Sequence, residues 1–118
     1  MWPQFDDEMV SAVAEVLRSG KVNFWTGNQV TSFEREFAEF ANCNHAVAVA
    51  NGTVALDLAF YGLDVGDRNG GRSTDEVIVT SRSFMASASS IMNAGAIPVF
   101  VDVDVETQNF DPEKIQVA

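Results

Sequence analysis

Short apolar runs alternate with segments of helical spacing along this chain, and that alternation restricts it to a small set of folds. The runs are AVAVA (46–50), EVIVT (76–80) and IPVFVDV (97–103). AVAVA is short and apolar with Val at alternate places, as expected of a strand covered on both faces. Strand followed by helix, repeated, is the pattern of an α/β layered domain with alternating helices and strands. We expect a single domain over residues 1–118.

Two amphipathic helices are predicted before the first of these runs. The first carries acidic residues in its opening turn and ends at Gly20, a residue typical of a helix C-terminus. The second begins with Thr31 and Glu34, which have the spacing of a capping box. We expect it to bury an aromatic stripe along one face, formed by Phe33, Phe37 and Phe40.

Two further helices follow the first two runs. One spans Val54 to Leu63, and the other passes through Ala86, Ile91 and Ala94 and ends before Gly95. Between them the polar, Gly-rich stretch DVGDRNGGRST (64–74) predicts a surface loop. Asp111 and Pro112 are then a typical helix start, yet the sequence continues for few residues beyond it, so we expect the chain to belong to a longer protein.

Charge and cysteine content exclude several functional classes. The 17 acidic and 7 basic side chains give a net charge of -10, which repels phosphate backbones and anionic lipid surfaces. The single cysteine, Cys43, allows neither an internal disulfide nor a thiolate metal cluster. We find neither a secretory signal nor an apolar run long enough to cross a bilayer. The sequence predicts a cytoplasmic protein with no nucleic-acid or membrane partner and no bound metal.

Asn51, Gly52 and Thr53 interrupt the apolar pattern between the first run and the helix that follows it. A turn from strand into helix exposes the first N–H groups of the helix, whose dipole favours an anion. Gly52 allows close approach, and the Thr53 hydroxyl adds a donor. The turn therefore predicts a phosphate site, although simple capping by Thr53 explains the same residues.

The surrounding sequence adds a family resemblance. FWTGNQVTSFEREFAEFANCNHAVAVANGTVALDLAF, followed by DEVIVTSRSFMASASSIMNAGAIPVFVDVDVETQNFDPEKI, resembles the N-terminal third of the DegT/DnrJ/EryC1/StrS sugar aminotransferases. The combination of the Gly-Thr turn, the Ser-Phe step and GAIPVFVDVD carries it. Thr80 stands where that family usually has Pro, and residues 67–74 look like an insertion. The resemblance implies the first part of the large domain of a fold type I aminotransferase, an enzyme that uses pyridoxal phosphate.

The resemblance also implies roles for individual residues. Gly52, Thr53 and Val54 match the turn that holds the cofactor phosphate. Phe84 matches the aromatic ring placed against the pyridine, although ordinary core packing is its simplest local explanation. The loop formed by Trp25, Thr26 and Gly27 matches one near the substrate.

Part of the chemistry of these enzymes lies outside the matched third. Family members bind the cofactor through a lysine and pair its ring nitrogen with an aspartate, whereas Lys21 and Lys114 occupy other contexts. The resemblance therefore implies no catalytic residue here. The chain is interpreted as an inactive part of an enzyme that transfers an amino group from glutamate to a keto sugar nucleotide. The alternative is a non-catalytic α/β remnant that acts as an oligomerising or binding module.

Other chemistries have weaker support. Asp102 and Asp104 follow a strand as in haloacid-dehalogenase-type phosphatases, but Glu106 departs from that motif. His45 is the only histidine and has no nucleophile elbow beside it, which argues against a catalytic triad. Finally, three strands of this composition would leave open edges, so we expect a homo-oligomer in which AVAVA pairs in a new way or a strand is exchanged.

Overall fold

The computed structural model describes residues 2–118. The chain divides into two compact units, one ending at Ala48 and the other spanning Val49–Ala118. No helix among the described residues has the length and apolar character needed to cross a membrane.

The first unit contains helices α1 (Asp7–Ser19) and α2 (Gln29–Phe40). The Asp6 carboxylate caps α1 by accepting the Met9 N–H at 2.8 Å. Gly20, in the left-handed region with φ 70°, ends the helix as the sequence predicts.

Helix α2 differs from the prediction in where it begins and in what it buries. It begins at Gln29, so Thr31 lies inside the first turn, where its hydroxyl donates to the Asn28 carbonyl at 3.0 Å. Glu34 accepts the Ala48 N–H at 2.8 Å. The predicted capping box is therefore wrong, because both side chains have other partners.

The predicted burial of the aromatic stripe of α2 is also wrong. Its three rings lie in sequence along one face with centroid separations of 5.7 and 6.1 Å. They remain exposed, however, and Ala38 is the only buried residue of this helix. The stripe consists of Phe33, Phe37 and Phe40.

The second unit is built around two parallel strands. Helix α3 (Gly52–Gly62) leads through a short 3-10 helix (Asp67–Asn69) to β1 (Glu76–Thr80), and α4 (Met85–Ala94) connects β1 to β2 (Ile97–Val101). The strands pair in register from Glu76 opposite Ile97 to Thr80 opposite Val101. A short helix, α5 (Pro112–Ile115), begins where the Asp-Pro pair predicts it, and Asp111 accepts the Glu113 N–H.

The core of this unit lies where α3 and α4 pack together and α4 packs on the strands. Its centre is formed by Val79, Ile91 and Ala96, with Phe60, Val65 and Val77 packed against it. Ile91 is 1% exposed, and the predicted apolar face of α4 is buried. The sequence therefore predicted this helix and its core face correctly.

Two strand predictions need correction. Residues 46–50 are irregular and pair with no strand among residues 2–118, so the predicted first strand is absent. A strand forms only where another backbone satisfies its N–H and C=O groups, and this stretch has no such partner. The last strand ends at Val101 rather than at residue 103, and Val103 instead forms an isolated antiparallel bridge with Phe110.

Candidate functional site

The N-terminus of α3 is the best-defined candidate site in the second unit. Asn51 is the N-cap, and its side chain accepts the Val54 N–H at 3.1 Å. The alternative in which Thr53 caps this helix is therefore wrong. Sequence reasoning gave Asn51 no role, although Asn is among the preferred N-cap residues.

Capping by Asn51 leaves a defined set of donors at the end of α3. The N–H groups of Gly52 and Thr53 and the Thr53 hydroxyl form no hydrogen bond with residues 2–118. The Val54 N–H, predicted to be part of the phosphate cradle, is occupied by the Asn51 side chain. The free donors therefore come from Gly52 and Thr53.

The surroundings of Gly52 indicate why glycine is suited to this position. A Cβ atom added there would meet no protein atom within 4 Å, and Gly52 does not adopt a positive φ. Neither internal packing nor backbone conformation therefore requires glycine at this position. What glycine provides is open space directly beside two free N–H groups, as an anion at a helix N-terminus needs.

Helix α4 holds the first turn of α3 in place. The Ser90 hydroxyl donates to the Thr53 carbonyl at 3.5 Å, and Ser90 is fully buried. This long hydrogen bond joins the middle of α4 to the beginning of α3. No local signal in the sequence indicates it, because the two residues are 37 positions apart.

Phe84 lies in the link from β1 to α4, as the N-cap residue of α4. Its side chain is 80% exposed, so the simple explanation that it packs in the core is wrong. The ring borders an apolar groove at the end of β1, together with Met85, Met92 and Phe100. An exposed ring beside a groove is available to stack on a planar ligand.

The loop of Trp25, Thr26 and Gly27, which was predicted to lie near the substrate, belongs to the first unit. Asn23 organises this loop, a role that the sequence did not reveal. The Asn23 side-chain oxygen accepts the N–H groups of Trp25 and Thr26 at 3.0 and 3.1 Å. Gly27 is needed because a Cβ there would come too close to the carbonyl oxygens of Lys21 and Asn23. The loop is therefore an ordered turn that presents Trp25, which is 89% exposed.

The acidic pair after β2 has a structural role. Asp102 accepts the Val103 N–H at 2.9 Å and pairs with Lys114 at 3.4 Å. These contacts lower the pKa of Asp102, the backbone hydrogen bond most strongly. Asp104 accepts the N–H groups of Thr107 and Glu106, and the Thr107 contact is the main cause of its lowered pKa. Both carboxylates stabilise the segment after β2, which argues against a phosphatase nucleophile.

No metal-binding cluster of three or more His, Cys, Asp or Glu side chains is found within the described residues 2–118. The two parallel strands and the helix that connects them, β1, α4 and β2, form a βαβ unit and define the class of protein as an α/β domain.

Comparison with known proteins identifies the family. The model of the DegT/DnrJ/EryC1/StrS aminotransferase family matches residues 3–118, and the chain belongs to this family. The sequence-based resemblance is thereby confirmed. The chain spans less than a third of the length of the curated relatives it matches.

Individual relatives and solved structures agree with this assignment. The dTDP-3-amino-3,6-dideoxy-alpha-D-galactopyranose transaminase of Aneurinibacillus thermoaerophilus is 38% identical over 96% of this chain and 29% of its own length. An aminotransferase structure from Psychrobacter cryohalolentis matches with a TM-score of 0.89 and 49% identity, over 100% of this chain and 28% of its own.

A third match was solved with a ligand. The GDP-4-keto-6-deoxy-D-mannose-3-dehydratase of E. coli with bound hydrated PLP has a TM-score of 0.83 and 30% identity, over 98% of this chain and 29% of its own. The structure matches fold type I aminotransferases over a fragment of their length.

Proposed function

We propose that this chain forms the part of a pyridoxal phosphate-dependent sugar aminotransferase that holds the cofactor phosphate and one face of its ring. The observation that carries the proposal is the N-terminus of α3, where free N–H groups of Gly52 and Thr53 adjoin open space. Membership of an aminotransferase family supports the proposal. The relative that acts on a dTDP-linked sugar supports a nucleotide-linked keto sugar as the substrate of the complete enzyme.

Each of these residues has a physical task in the proposed site. The N–H groups of Gly52 and Thr53 donate to phosphate oxygens, and the positive end of the α3 dipole adds to the attraction. The Asn51 side chain fixes the helix start by occupying the Val54 N–H, so the free donors keep one orientation. Phe84 offers its exposed ring to the face of the pyridine.

The cofactor, when bound, supplies an electron sink for moving an amino group. In this proposal neither lysine of the chain takes part in that chemistry. Lys114 pairs with Asp102 at 3.4 Å and lies 3.9 Å from Asp111, so its amine is engaged by these carboxylates. Lys21 lies beside the groove of the first unit, next to Thr26 and Gly27. The proposal therefore assigns cofactor binding to this chain and no catalytic residue.

The test uses a cofactor analogue that cannot react with amines. Pyridoxine 5'-phosphate lacks the aldehyde, so its binding reports only phosphate and ring contacts and is unaffected by chemical attachment to surface lysines. Binding is measured by isothermal titration calorimetry to the full chain. Pyridoxine without phosphate is the ligand control, and we expect it to bind at least about tenfold more weakly, a difference of about 1.4 kcal/mol.

Two glycines of α3 give a matched pair of variants. A Cβ at Gly52 or at Gly62 would meet no protein atom within 4 Å, and the two residues are the first and last of the same helix. Gly52→Ala should weaken binding of the analogue about tenfold, because its methyl group fills the space beside the donors. Gly62→Ala should bind as the unsubstituted chain does. Equal binding by both variants, or equal binding of pyridoxine, would overturn the proposal.

A further inference from the structure

Arg82 lies at the carboxyl end of the parallel strands, in the link that also carries Phe84. Two hydrogen bonds from backbone N–H groups hold this link: the Ser81 N–H donates to the Val101 carbonyl at 2.9 Å, and the Arg82 N–H donates to the Thr80 hydroxyl at 3.3 Å. Ligands of open α/β sheets bind at this end of the strands. The residues on either side of Arg82 in the chain, Ser81 and Ser83, line the apolar groove that Phe84 borders.

A single glutamine holds the guanidinium of Arg82. The Nη1 group donates to the side-chain oxygen of Gln108, 26 residues further along the chain. Gln108 is itself fixed, because its Nε2 donates to the Val105 carbonyl at 2.6 Å and its backbone N–H donates to the Asp104 carbonyl at 2.9 Å. Its φ of 59° lies in the left-handed region, which is uncommon for glutamine. The arginine is thus held by a preorganised neutral partner.

The charge of Arg82 is not neutralised within the described part of the chain. No carboxylate between residues 2 and 118 lies within salt-bridge distance of it, even though the chain has 17 acidic residues. The two acidic residues that directly follow β2 have other partners. Asp102 pairs with Lys114 and accepts the Val103 N–H, and Asp104 accepts backbone N–H groups. Only one N–H of the guanidinium points to Gln108, so the others are free to bind an anion bidentately.

We propose that Arg82 is a specificity-determining residue that binds an anionic group of the substrate, with Gln108 positioning its guanidinium. This inference rests on the proposed function, since the substrate belongs to that reaction. Phosphate and carboxylate both present the paired oxygens that a guanidinium recognises. The anion is accordingly either the diphosphate of a nucleotide-linked sugar or the carboxylate of the amino donor.

The experiment follows the arginine directly. In ¹H–¹⁵N NMR of the full chain, inorganic pyrophosphate and L-glutamate are titrated separately while the Arg82 Nε resonance and the backbone amides of Ser83 and Phe84 are recorded. A response to pyrophosphate alone assigns the diphosphate, and a response to glutamate assigns the donor carboxylate. We expect a dissociation constant of ~1 mM or below for the responding probe. If these resonances do not respond to either probe at a concentration about 20-fold above that value, the proposal is overturned.

Variants separate specific binding from general charge effects. Arg82→Gln should weaken binding of the responding probe at least about tenfold, and Gln108→Ala about threefold, because the guanidinium loses its fixed orientation. Arg35→Gln, on α2, removes the same charge elsewhere and should leave binding unchanged. If Arg82→Gln binds like the unsubstituted chain, or Arg35→Gln weakens binding equally, the inference is wrong.

The same measurements distinguish this inference from the proposed cofactor site. Gly52→Ala should reduce binding of pyridoxine 5'-phosphate while the Arg82 Nε response to its probe stays unchanged. Arg82→Gln should show the opposite pattern. If the unsubstituted chain does not bind pyridoxine 5'-phosphate while the Arg82 Nε resonance still responds to its probe, only the cofactor proposal is refuted. If the chain binds the analogue but the Arg82 Nε resonance responds to neither probe, only the role of Arg82 is refuted.

Discussion

Asp75 and Gly66 are joined by a hydrogen bond of 3.0 Å from the Gly66 N–H to Oδ2 of the carboxylate. The same oxygen accepts the Arg72 N–H at 2.8 Å. One carboxylate therefore closes the Gly-rich loop from both sides, just before β1 begins. The sequence predicts a polar surface loop here, and most of its residues are exposed. The two hydrogen bonds to Asp75 make this loop an ordered turn.

The first prediction concerns the pH dependence of this closure. The backbone hydrogen bonds from Arg72 and Gly66 lower the pKa of Asp75 below its ordinary value of 3.8. A lowered pKa in the folded state means that the carboxylate stabilises the fold above pH 3.8 and loses this effect as pH falls through the folded-state pKa. Asp75→Asn should therefore be less stable than the unsubstituted chain at neutral pH, and the two should converge in strong acid.

Urea unfolding from neutral pH to about two pH units below the ordinary carboxyl pKa measures this difference. Glu76→Gln is the matched control, because it removes the same charge from the adjacent, exposed residue. Its stability difference should not follow the Asp75 profile. A difference for Asp75→Asn that stays constant into strong acid would contradict the assignment.

The second prediction separates backbone conformation from steric overlap at two glycines of this loop. Gly66 has φ 82°, and a Cβ there would overlap the Ala94 carbonyl oxygen. Gly70 has φ 97° but only a side-chain atom of Asp64, 3.7 Å away, near its missing Cβ. Gly70→Ala should cost about 1–2 kcal/mol for the left-handed conformation alone.

Gly66→Ala should cost clearly more, because the backbone of α4's last turn must also move. Thermal unfolding followed by circular dichroism compares the two variants. If both variants are destabilised to the same extent, then the close approach of Gly66 to the Ala94 carbonyl does not restrict the loop.

The third prediction tests the core of the second unit. Ile91 is 1% exposed, and its neighbour Met92 is 62% exposed on the same helix. Ile91→Ala should destabilise the fold by about 2–5 kcal/mol, because it leaves a cavity between α4 and β1. Met92→Ala should change stability much less. Urea denaturation measures both, and comparable losses would mean that the core is not centred on Ile91.

Local signals explain which parts of the fold could be read from the sequence. The starts at Asp6 and Asp111 and the stop at Gly20 depend on hydrogen bonds between neighbouring residues, so short sequence stretches reveal them. The same holds for β1, an apolar run, and for α4, whose apolar spacing matches its buried residues. The turn at Asn51, Gly52 and Thr53 was also placed correctly at a helix N-terminus, although the cap is Asn51 rather than Thr53.

Features that depend on distant partners could not be predicted in this way. AVAVA has the composition of a buried strand, but composition does not provide a second backbone to pair with. Thr31 and Glu34 have capping-box spacing, yet Glu34 instead accepts the N–H of Ala48, 14 residues away. The contact of Arg82 with Gln108 spans 26 residues and has no local signature either.

The fourth prediction is that this chain alone does not transfer amino groups. With pyridoxal phosphate, glutamate and a keto sugar nucleotide, we expect no turnover above that of free cofactor. The reason is that neither Lys21 nor Lys114 matches the lysine that the family resemblance implies as the cofactor attachment point, and Lys114 is paired with Asp102. Product formation is followed by mass spectrometry. Turnover that disappears in Lys21→Ala or Lys114→Ala would show that one of these amines is catalytic.

The last prediction concerns self-association. The two-stranded sheet has an unpaired edge on each strand, and residues 46–50 contain apolar side chains without a strand partner, including Val47 at 66% exposure. Unpaired strands of this kind readily add a strand from another chain. We expect a homodimer or larger oligomer, in which residues 46–50 pair between copies, with sedimentation coefficients that rise with concentration.

Val47→Lys should shift the equilibrium toward monomer, since a charged side chain opposes strand addition. Val117→Lys is the control, because Val117 is 85% exposed and lies in the irregular end of the described chain. A monomer at every concentration, or equal dissociation by both variants in analytical ultracentrifugation, would contradict association through residues 46–50.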